Sequence, residues 1–467
     1  MVGRIRTSNG ASRGAAGVEA RRYGRSAMLL SVGIGTAGVL TYLYFALASH
    51  NLSRAEYGQI VVLWSAVMIT ISIVHRPVEQ LLSRTIAERQ ARAMSIGRPL
   101  RVAAAIQLSI ALAVGAAALA LRQPLENTVL DGKAALYWVL VVAVVCFGAS
   151  YYARGFLAGT RRFGLLSALI VNEAVGRFAF SLAVAVGIAS GQAVVAVGIA
   201  AAPLLSLIVV PLAFVGRART APRPAPEAPS PVETDFTLAS GGGFAAAVLL
   251  IMLSEQTLIN GGPLLVRAAV GASAAGFIFN VLMVARAPLL LFQGIATSLL
   301  PHLTRLRSRG GSTGEEAFRL SVRGTLEAIA AFAAAVSAVL MIAGPKLMQI
   351  AFGAKFTYDR LGLLCVSIGM GVYLAATTLN QASVAEGKVR PAAACWAVCA
   401  IAFLGWNLLP VLSDFRRVEL GFLGAAVALF GLLYVVYRRP VARPADVLEP
   451  GSAAELEARL AAAEEVG

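Results

Sequence analysis

The stretch GRARTAPRPAPEAPSPVE, residues 216–233, divides the chain into two parts. It is rich in proline and alanine and contains no long apolar run. Pro-rich segments of this kind are extended, semi-rigid linkers. Six long apolar segments precede it and six follow it. The stretch therefore predicts two halves of similar size, joined by a linker over residues 216–241.

The composition indicates that lipid, rather than water, surrounds most of the chain. Its 467 residues are 58% hydrophobic and only 14% charged, and its mean hydropathy is +0.76. Apolar windows of about 20 residues are long enough to cross a bilayer as helices. Backbone groups in lipid must be paired internally, and continuous rather than alternating apolar windows favour helices over a barrel. The predicted helices are 26–49, 57–80, 102–121, 135–157, 165–189, 192–215, 242–266, 274–298, 324–343, 361–384, 392–412 and 419–437.

Basic residues predict the orientation of these helices. Most of the 40 Lys and Arg residues fall in the two tails, in the linker and in the connections on their side of the membrane. Cytoplasmic segments carry such an excess of Lys and Arg, so both termini are predicted to be cytoplasmic. This topology accounts for the net charge of +16 without nucleic acid as a partner.

The predicted domains are a disordered basic tail (1–25), a six-helix bundle (26–215), the linker (216–241), a second bundle (242–437) and a C-terminal tail (438–467).

The two halves align weakly with each other when the sequence is shifted by 218 positions. YGQI at 57–60 then falls on AGFI at 275–278, and LLSRTIAERQAR at 81–92 falls on LLPHLTRLRSRG at 299–310. Six helices in each half, an even number, make both halves enter the membrane from the same side. The pattern predicts parallel repeats related by an axis along the membrane normal, with a substrate site between them near the midplane.

Several connecting segments resemble those of a known transporter family. LASHNLSRAEYGQI (47–60) is similar to the first outer turn of the polysaccharide flippases, which belong to the multidrug/oligosaccharidyl-lipid/polysaccharide exporter superfamily. GFLAGTRRFG (155–164) resembles their next cytoplasmic turn, and LLPHLTRL (299–306), LMQIAFGAKF (347–356) and LNQASVAEGKVRP (379–391) resemble loops of their second half. The resemblance covers roughly residues 26–437.

The resemblance implies an all-α, MATE-like fold of two six-helix bundles arranged in a V around a central cavity. It implies alternating-access flipping of a polyprenyl-pyrophosphate-linked oligosaccharide across a bacterial plasma membrane, with membrane lipids and other polysaccharide-assembly proteins as further partners. A cation-coupled drug or metabolite exporter of the same superfamily is the alternative. A membrane-embedded sugar transferase or polymerase is disfavoured because the outer loops are short. A non-enzyme without cofactors is expected.

Seven charged side chains fall within the predicted helices, where ionisable residues usually face a bundle interior or a watery cavity. They are Arg76, Glu79, Arg154, Glu173, Arg177, Glu255 and Arg286. The four arginines are predicted to line the substrate cavity, because the planar guanidinium fork matches phosphate oxygens. The glutamates Glu173 and Glu255 are predicted to be ion-coupling groups or charge partners. Structural ion pairs that only lock helices together are the competing interpretation.

Position along the helices suggests partners for these charges. Arg286 and Glu255 each lie about 18–20 Å into antiparallel neighbouring helices, near the midplane, and so could pair. Glu173 and Arg177 share a helix face at a spacing of four residues, in the favourable order. Arg76 and Arg154 lie nearer the cytoplasmic ends, where they could extend to the headgroups.

Three further features concern movement, helix-end packing and metal binding. Gly261, Gly262 and Pro263 follow the acidic midpoint of the seventh helix and could form a hinge, because proline removes a backbone hydrogen bond. A packing kink is the alternative.

His75, next to Arg76, fits a packing role at a helix end better than a cavity role. The four cysteines all fall in predicted helices, and no His/Cys/Asp cluster has metal-ligand spacing, so no metal site is predicted.

Overall fold

The computed structural model describes residues 8–92, 94–214, 238–286 and 311–439. Within these ranges the regular structure is helical, without strands. A 3-10 helix at Leu207–Ala213 continues the eighth α-helix. The α-helices are α1 (Ser8–Asn51), α2 (Arg54–Val74), α3 (Arg76–Ala91), α4 (Gly97–Ala120), α5 (Arg122–Val129), α6 (Ala134–Gly159), α7 (Phe163–Ala185), α8 (Gln192–Ser206), α9 (Leu238–Val270), α10 (Ala272–Arg286), α11 (Gly311–Phe352), α12 (Arg360–Ala385), α13 (Val389–Leu408) and α14 (Asp414–Arg438).

These helices make the chain a multi-pass membrane protein. Among the described residues, 11 helical segments are long and apolar enough to span a bilayer, and α10 adds a shorter apolar helix. Every predicted membrane helix has a counterpart in this set. The second half of the predicted helix 274–298 lies outside the described residues, as does most of the linker.

Three helices differ from their predicted extents. α1 begins at Ser8, inside the segment predicted to be a disordered tail. Its alanine and arginine residues are good helix formers, which favours this extension. α11 is 42 residues long and runs well beyond 324–343 on both sides. The predicted helix 57–80 is two helices, α2 and α3, that meet at His75; Pro77 at the start of α3 has no N–H to donate to the preceding turn.

Helices α1–α8 form an N-terminal half, and α9–α14 form a C-terminal half. α1 packs on α7 and α7 on α8 in the first half, while α11 and α14 both pack on α12 in the second. α2 packs against α9 across the boundary. The end of the molecule at which α1 ends and α2 begins is named the outer end here, since the predicted topology places it outside the cell.

Two glycines bring α2 and α10 together at the outer end. A Cβ on Gly58 would lie 1.8 Å from the carbonyl oxygen of Ala272, and a Cβ on Gly276 would lie 3.4 Å from the Cα of Gly58. The 218-residue shift places Gly276 on Gly58. The equivalent helices of the two halves therefore cross at equivalent positions, and a side chain at Gly58 would keep them apart.

Aromatic and polar contacts close the outer end between the two halves. The rings of Phe45 and Phe279 lie 4.5 Å apart, and Tyr57 donates a hydrogen bond to Asn280. Arg267 reaches across to Asp131 with an N–O distance of 2.6 Å. The halves are therefore joined tightly at the outer end.

Candidate functional site

The charged side chains predicted inside the membrane form one connected electrostatic network. Arg177 interacts with Glu173, Glu173 pairs with Arg154, and Glu79 interacts with Arg154 and Arg76. Arg76 then pairs with Glu255 across the boundary between the halves. Arg286 interacts with Glu255, Arg76 and the phenol of Tyr373. Four arginines and three glutamates leave the network with an excess of positive charge.

The Arg76–Glu255 pair connects the two halves at the centre of the network. Its closest N–O distance is 4.0 Å, and 38% and 32% of the two side chains remain accessible. Helical side chains tilt toward the helix N-terminus, which for α3 points toward the outer end. Arg76 therefore reaches back into the interior rather than out to the headgroups. The pair is therefore a loose contact between the two halves rather than a tightly packed one.

Arg154 and Glu173 form a tighter pair inside the N-terminal half. Their N–O distance is 2.6 Å, and only 16% and 8% of their side chains are accessible. Ser150 donates a second hydrogen bond to the same carboxylate oxygen, at 3.2 Å, and the Arg154 guanidinium lies 4.8 Å from the ring centroid of Tyr151. This arrangement holds α6 and α7 together, and it also turns Arg154 away from the headgroups.

Arg177 is buried but poorly paired. The residue is 4% exposed, and its guanidinium lies 4.5 Å from the ring centroid of Trp64. Its Nη2 makes a long hydrogen bond of 3.4 Å to Thr41, while Nε and Nη1 have no hydrogen-bond partner among the described residues. Glu173, the predicted partner one turn away, gives its short ion pair to Arg154 instead. Arg177 therefore has unpaired donors, but they are covered by the surrounding side chains, so an anionic ligand would reach them only after these helices move apart.

Arg286 is the last described residue of α10. Its predicted partner Glu255 is near enough to interact electrostatically, but the ion pair within 4.0 Å that Glu255 makes in the described part of the chain is with Arg76. Glu255 also accepts a hydrogen bond from Tyr373, at 3.3 Å. Glu255 thus lies between two arginines and a phenol, and it neutralises at most one of the two cations.

The segment predicted as a hinge lies inside a continuous helix. α9 runs unbroken through Pro263. A Cβ on Gly262 would approach Val418 of α14 to 3.0 Å, whereas Gly261 has only ordinary contacts. Gly262 therefore has a packing role against α14, and the hinge function of these three residues stays a prediction.

Aromatic and hydroxyl partners of the network were not predicted from the sequence. Trp64, Tyr151 and Tyr373 contact or interact with its arginines. Because aromatic residues are common in membrane helices, their types and spacing did not indicate which of them lie beside the arginines. Among the described residues no cluster of three or more His, Cys, Asp or Glu side chains could hold a metal ion.

Comparison with solved structures identifies the architecture. An inward-facing multidrug resistance MATE family transporter of the MOP superfamily aligns over 88% of this chain and 96% of its own, with a TM-score of 0.61 and 14% identity. The chain has a MATE-type fold. An outward-facing structure of such a transporter aligns over 88% and 94% of the two chains, with a TM-score of 0.58 and 14% identity. A Vibrio cholerae MATE transporter aligns over 89% and 97%, with a TM-score of 0.56 and 14% identity.

No protein-family model matches the sequence, and no curated protein matches it either. The MATE-type fold confirms the predicted all-α architecture of two six-helix bundles. The Arg76–Glu255 pair of the network lies between the two halves, whereas the Arg154–Glu173 pair lies inside the N-terminal half. The arrangement could bind an anionic group between the halves and shield it from lipid.

Proposed function

We propose that the protein is a transporter that flips a polyprenyl-pyrophosphate-linked oligosaccharide, or a related lipid-linked glycan, across the membrane by alternating access. The observation that carries this proposal is the buried guanidinium of Arg177, with two nitrogens lacking a partner among the described residues. A buried charge without compensation is costly. Phosphate oxygens complement a guanidinium with short, charge-assisted hydrogen bonds.

The rest of the network supports an anionic substrate. Arg76 and Arg286 both lie near Glu255, and the network as a whole has one more arginine than it has glutamates. In this proposal the pyrophosphate supplies the missing negative charge.

The unequal contacts between the halves support alternating access. Among the described residues, the Phe45–Phe279 contact and the Arg267–Asp131 ion pair close the outer end, whereas the Arg76–Glu255 pair farther in is loose. In the proposed setting, a bacterial plasma membrane with both termini cytoplasmic, closure of the outer end leaves the cytoplasmic side as the route by which the substrate would enter. Membrane lipids and polysaccharide-assembly proteins are the further partners in this setting.

A cation-coupled drug or metabolite exporter is the second candidate function. It is favoured by Glu255, an accessible acid between the two halves whose hydrogen bond to Tyr373 is long, at 3.3 Å. In that case Glu255, rather than the arginines, would be the group on which transport depends.

Flipping by the purified protein in lipid vesicles distinguishes the two functions. The probe is a fluorescent polyprenyl-pyrophosphate disaccharide, and a polyprenyl disaccharide without phosphate serves as the comparison lipid. Arg177→Ala is expected to slow flipping of the pyrophosphate lipid by about 10- to 150-fold, because charge-assisted hydrogen bonds contribute roughly 1.5–3 kcal/mol. Arg177→Lys should recover only part of the rate, since lysine keeps the charge but loses the fork.

The matched control is Arg101→Ala, which removes an exposed arginine near the start of α4. It should leave the rate unchanged. Equal transport of both lipids, with a wild-type rate in Arg177→Ala, would refute the proposed substrate. Loss of organic-cation export in Glu255→Gln, with no flipping of either lipid by the wild type, would establish the exporter instead.

A further inference from the structure

His75 is buried at the junction of α2 and α3, and both of its ring nitrogens face oxygen atoms. The residue is 1% exposed. Its Nε2 lies 2.8 Å from the backbone oxygen of Val144 on α6, and its Nδ1 lies 3.1 Å from Oε1 of Gln107 on α4. The imidazole therefore links the α2–α3 junction to two other helices.

The orientation of the Gln107 amide is set by a second contact. Its Nε2 donates a hydrogen bond of 2.7 Å to the backbone oxygen of Gly148. Because an amide has its donor and its acceptor on opposite sides, Oε1 must then face the imidazole. Gly148 also makes room for the ring, since a Cβ there would lie 3.1 Å from Cε1 of His75.

A neutral imidazole does not satisfy this arrangement. With the proton on Nε2, the lone pair of Nδ1 would face the lone pairs of Gln107. Turning the Gln107 amide over would donate a hydrogen bond to Nδ1, but it would place the amide oxygen against the oxygen of Gly148. The imidazolium, which donates from both nitrogens, is the form in which every group is paired. We propose that His75 is a proton-binding site and carries the bound proton in this conformation.

Charged groups around the site connect it to the network. Tyr151 on α6 has its ring centroid 6.2 Å from that of His75, and Arg154 lies over Tyr151. Arg76 and Glu79 follow His75 on α3, while α4 places the uncharged Gln107 beside the ring. The two arginines oppose a third positive charge, and Glu79 favours it.

The position of His75 suggests what the proton does in transport. His75 precedes Arg76, which makes the ion pair with Glu255 in the other half. Losing the proton would remove the hydrogen bond between His75 and Gln107, one of the contacts that join the α2–α3 junction to α4. A proton at His75 would thereby be coupled to the relative position of the two halves; this coupling rests on the proposed function, whereas the proton site itself does not.

The protonation state can be read directly because the chain contains only 3 histidines. The protein is labelled with 15N-histidine and studied by NMR in lipid nanodiscs at neutral pH. One histidine is expected to show protons on both ring nitrogens. This signal should disappear in His75→Gln and persist in the matched control His50→Gln. Gln107→Met, which removes the acceptor facing Nδ1, should convert it to a neutral signal with one protonated nitrogen.

A neutral His75 in the wild-type spectrum would overturn the proposal. The coupling is tested separately in vesicles with an imposed proton gradient, which should change the flipping rate of the wild type severalfold but not that of His75→Gln. An equal response of both proteins would overturn the coupling. A wild type with imidazolium at His75 that flips no lipid-linked glycan would remove the proposed function and leave the proton site standing.

Discussion

Replacing Gly58 by alanine should open the outer end of the molecule. The added Cβ would lie 1.8 Å from the carbonyl oxygen of Ala272, whereas Cβ atoms essentially never approach another heavy atom within 3.0 Å. The neighbour is backbone and cannot rotate away. The start of α2 and the start of α10 must therefore separate by at least about 1.2 Å, the difference between these two distances.

This steric clash raises the free energy of the conformation in which the outer end is closed. Overpacking of this kind costs about 1–3 kcal/mol, and the separation also weakens the contact between Phe45 and Phe279 and the hydrogen bond from Tyr57 to Asn280. A conformation in which the two helices have parted carries no such cost. The ratio of outer-closed to outer-open molecules is therefore expected to fall by roughly 5- to 150-fold.

Pulsed electron–electron resonance measures this shift. Spin labels are placed at Asn127 and Ala354, which are exposed at the outer end of the two halves, after the four native cysteines have been replaced. Gly58→Ala should move the distance distribution to longer values. Gly276→Ala should have a smaller effect, because its Cβ would contact the edge of the Tyr57 ring at 3.0 Å.

The matched control for the distance measurement is Gly115→Ala in α4, where an added Cβ meets nothing within 4 Å. Its distance distribution should equal that of the wild type. Thermal unfolding of each variant shows whether the protein remains folded. A folded Gly58→Ala protein with an unchanged distance distribution would refute the idea that this glycine contact holds the outer end closed.

Two further predictions concern paired carboxylates. Glu173→Gln should lower the free energy of unfolding by about 3–5 kcal/mol, because it leaves Arg154 buried without its counter-ion; a larger thermal stability for the variant than for the wild type would contradict this. At the outer end, burial acts to raise the pKa of Asp359, but the hydrogen bonds from Arg416 and from the backbone of Gly362 outweigh it and hold the pKa below its ordinary value. Asp359 should therefore contribute stability at neutral pH that is lost in acid, as the pH falls through the lowered pKa. Melting temperatures measured from neutral to acidic pH should fall less steeply for Asp359→Asn, and parallel curves for the two proteins would contradict the reasoning.

Membrane insertion and helix number could be read from the sequence because they depend on local composition. A run of about 20 apolar residues is unfavourable in water wherever it occurs in the chain, so the predicted segments agree with the helices of the structure. Arg286 and Glu255 could be recognised as candidate site residues for the same reason, because a charge within an apolar run is energetically costly whatever surrounds it. The extension of α11 and the junction at His75 were missed because helix ends and breaks depend on weaker local terms.

The pairing of these charges was decided by the tertiary structure alone. Sequence spacing suggested that Glu255 pairs with Arg286 and Glu173 with Arg177. In the structure a short ion pair joins Glu173 to Arg154, and a looser one joins Glu255 to Arg76. A partner depends on the rotation of each helix about its axis and on its depth in the bundle. Packing between helices distant in the sequence sets both quantities, as the close crossing of α2 and α10 at Gly58 shows. Hydropathy along the chain specifies neither the rotation nor the depth of a helix. The sequence therefore determines which charges are buried, and the packing of the helices determines which of them remain available to a ligand.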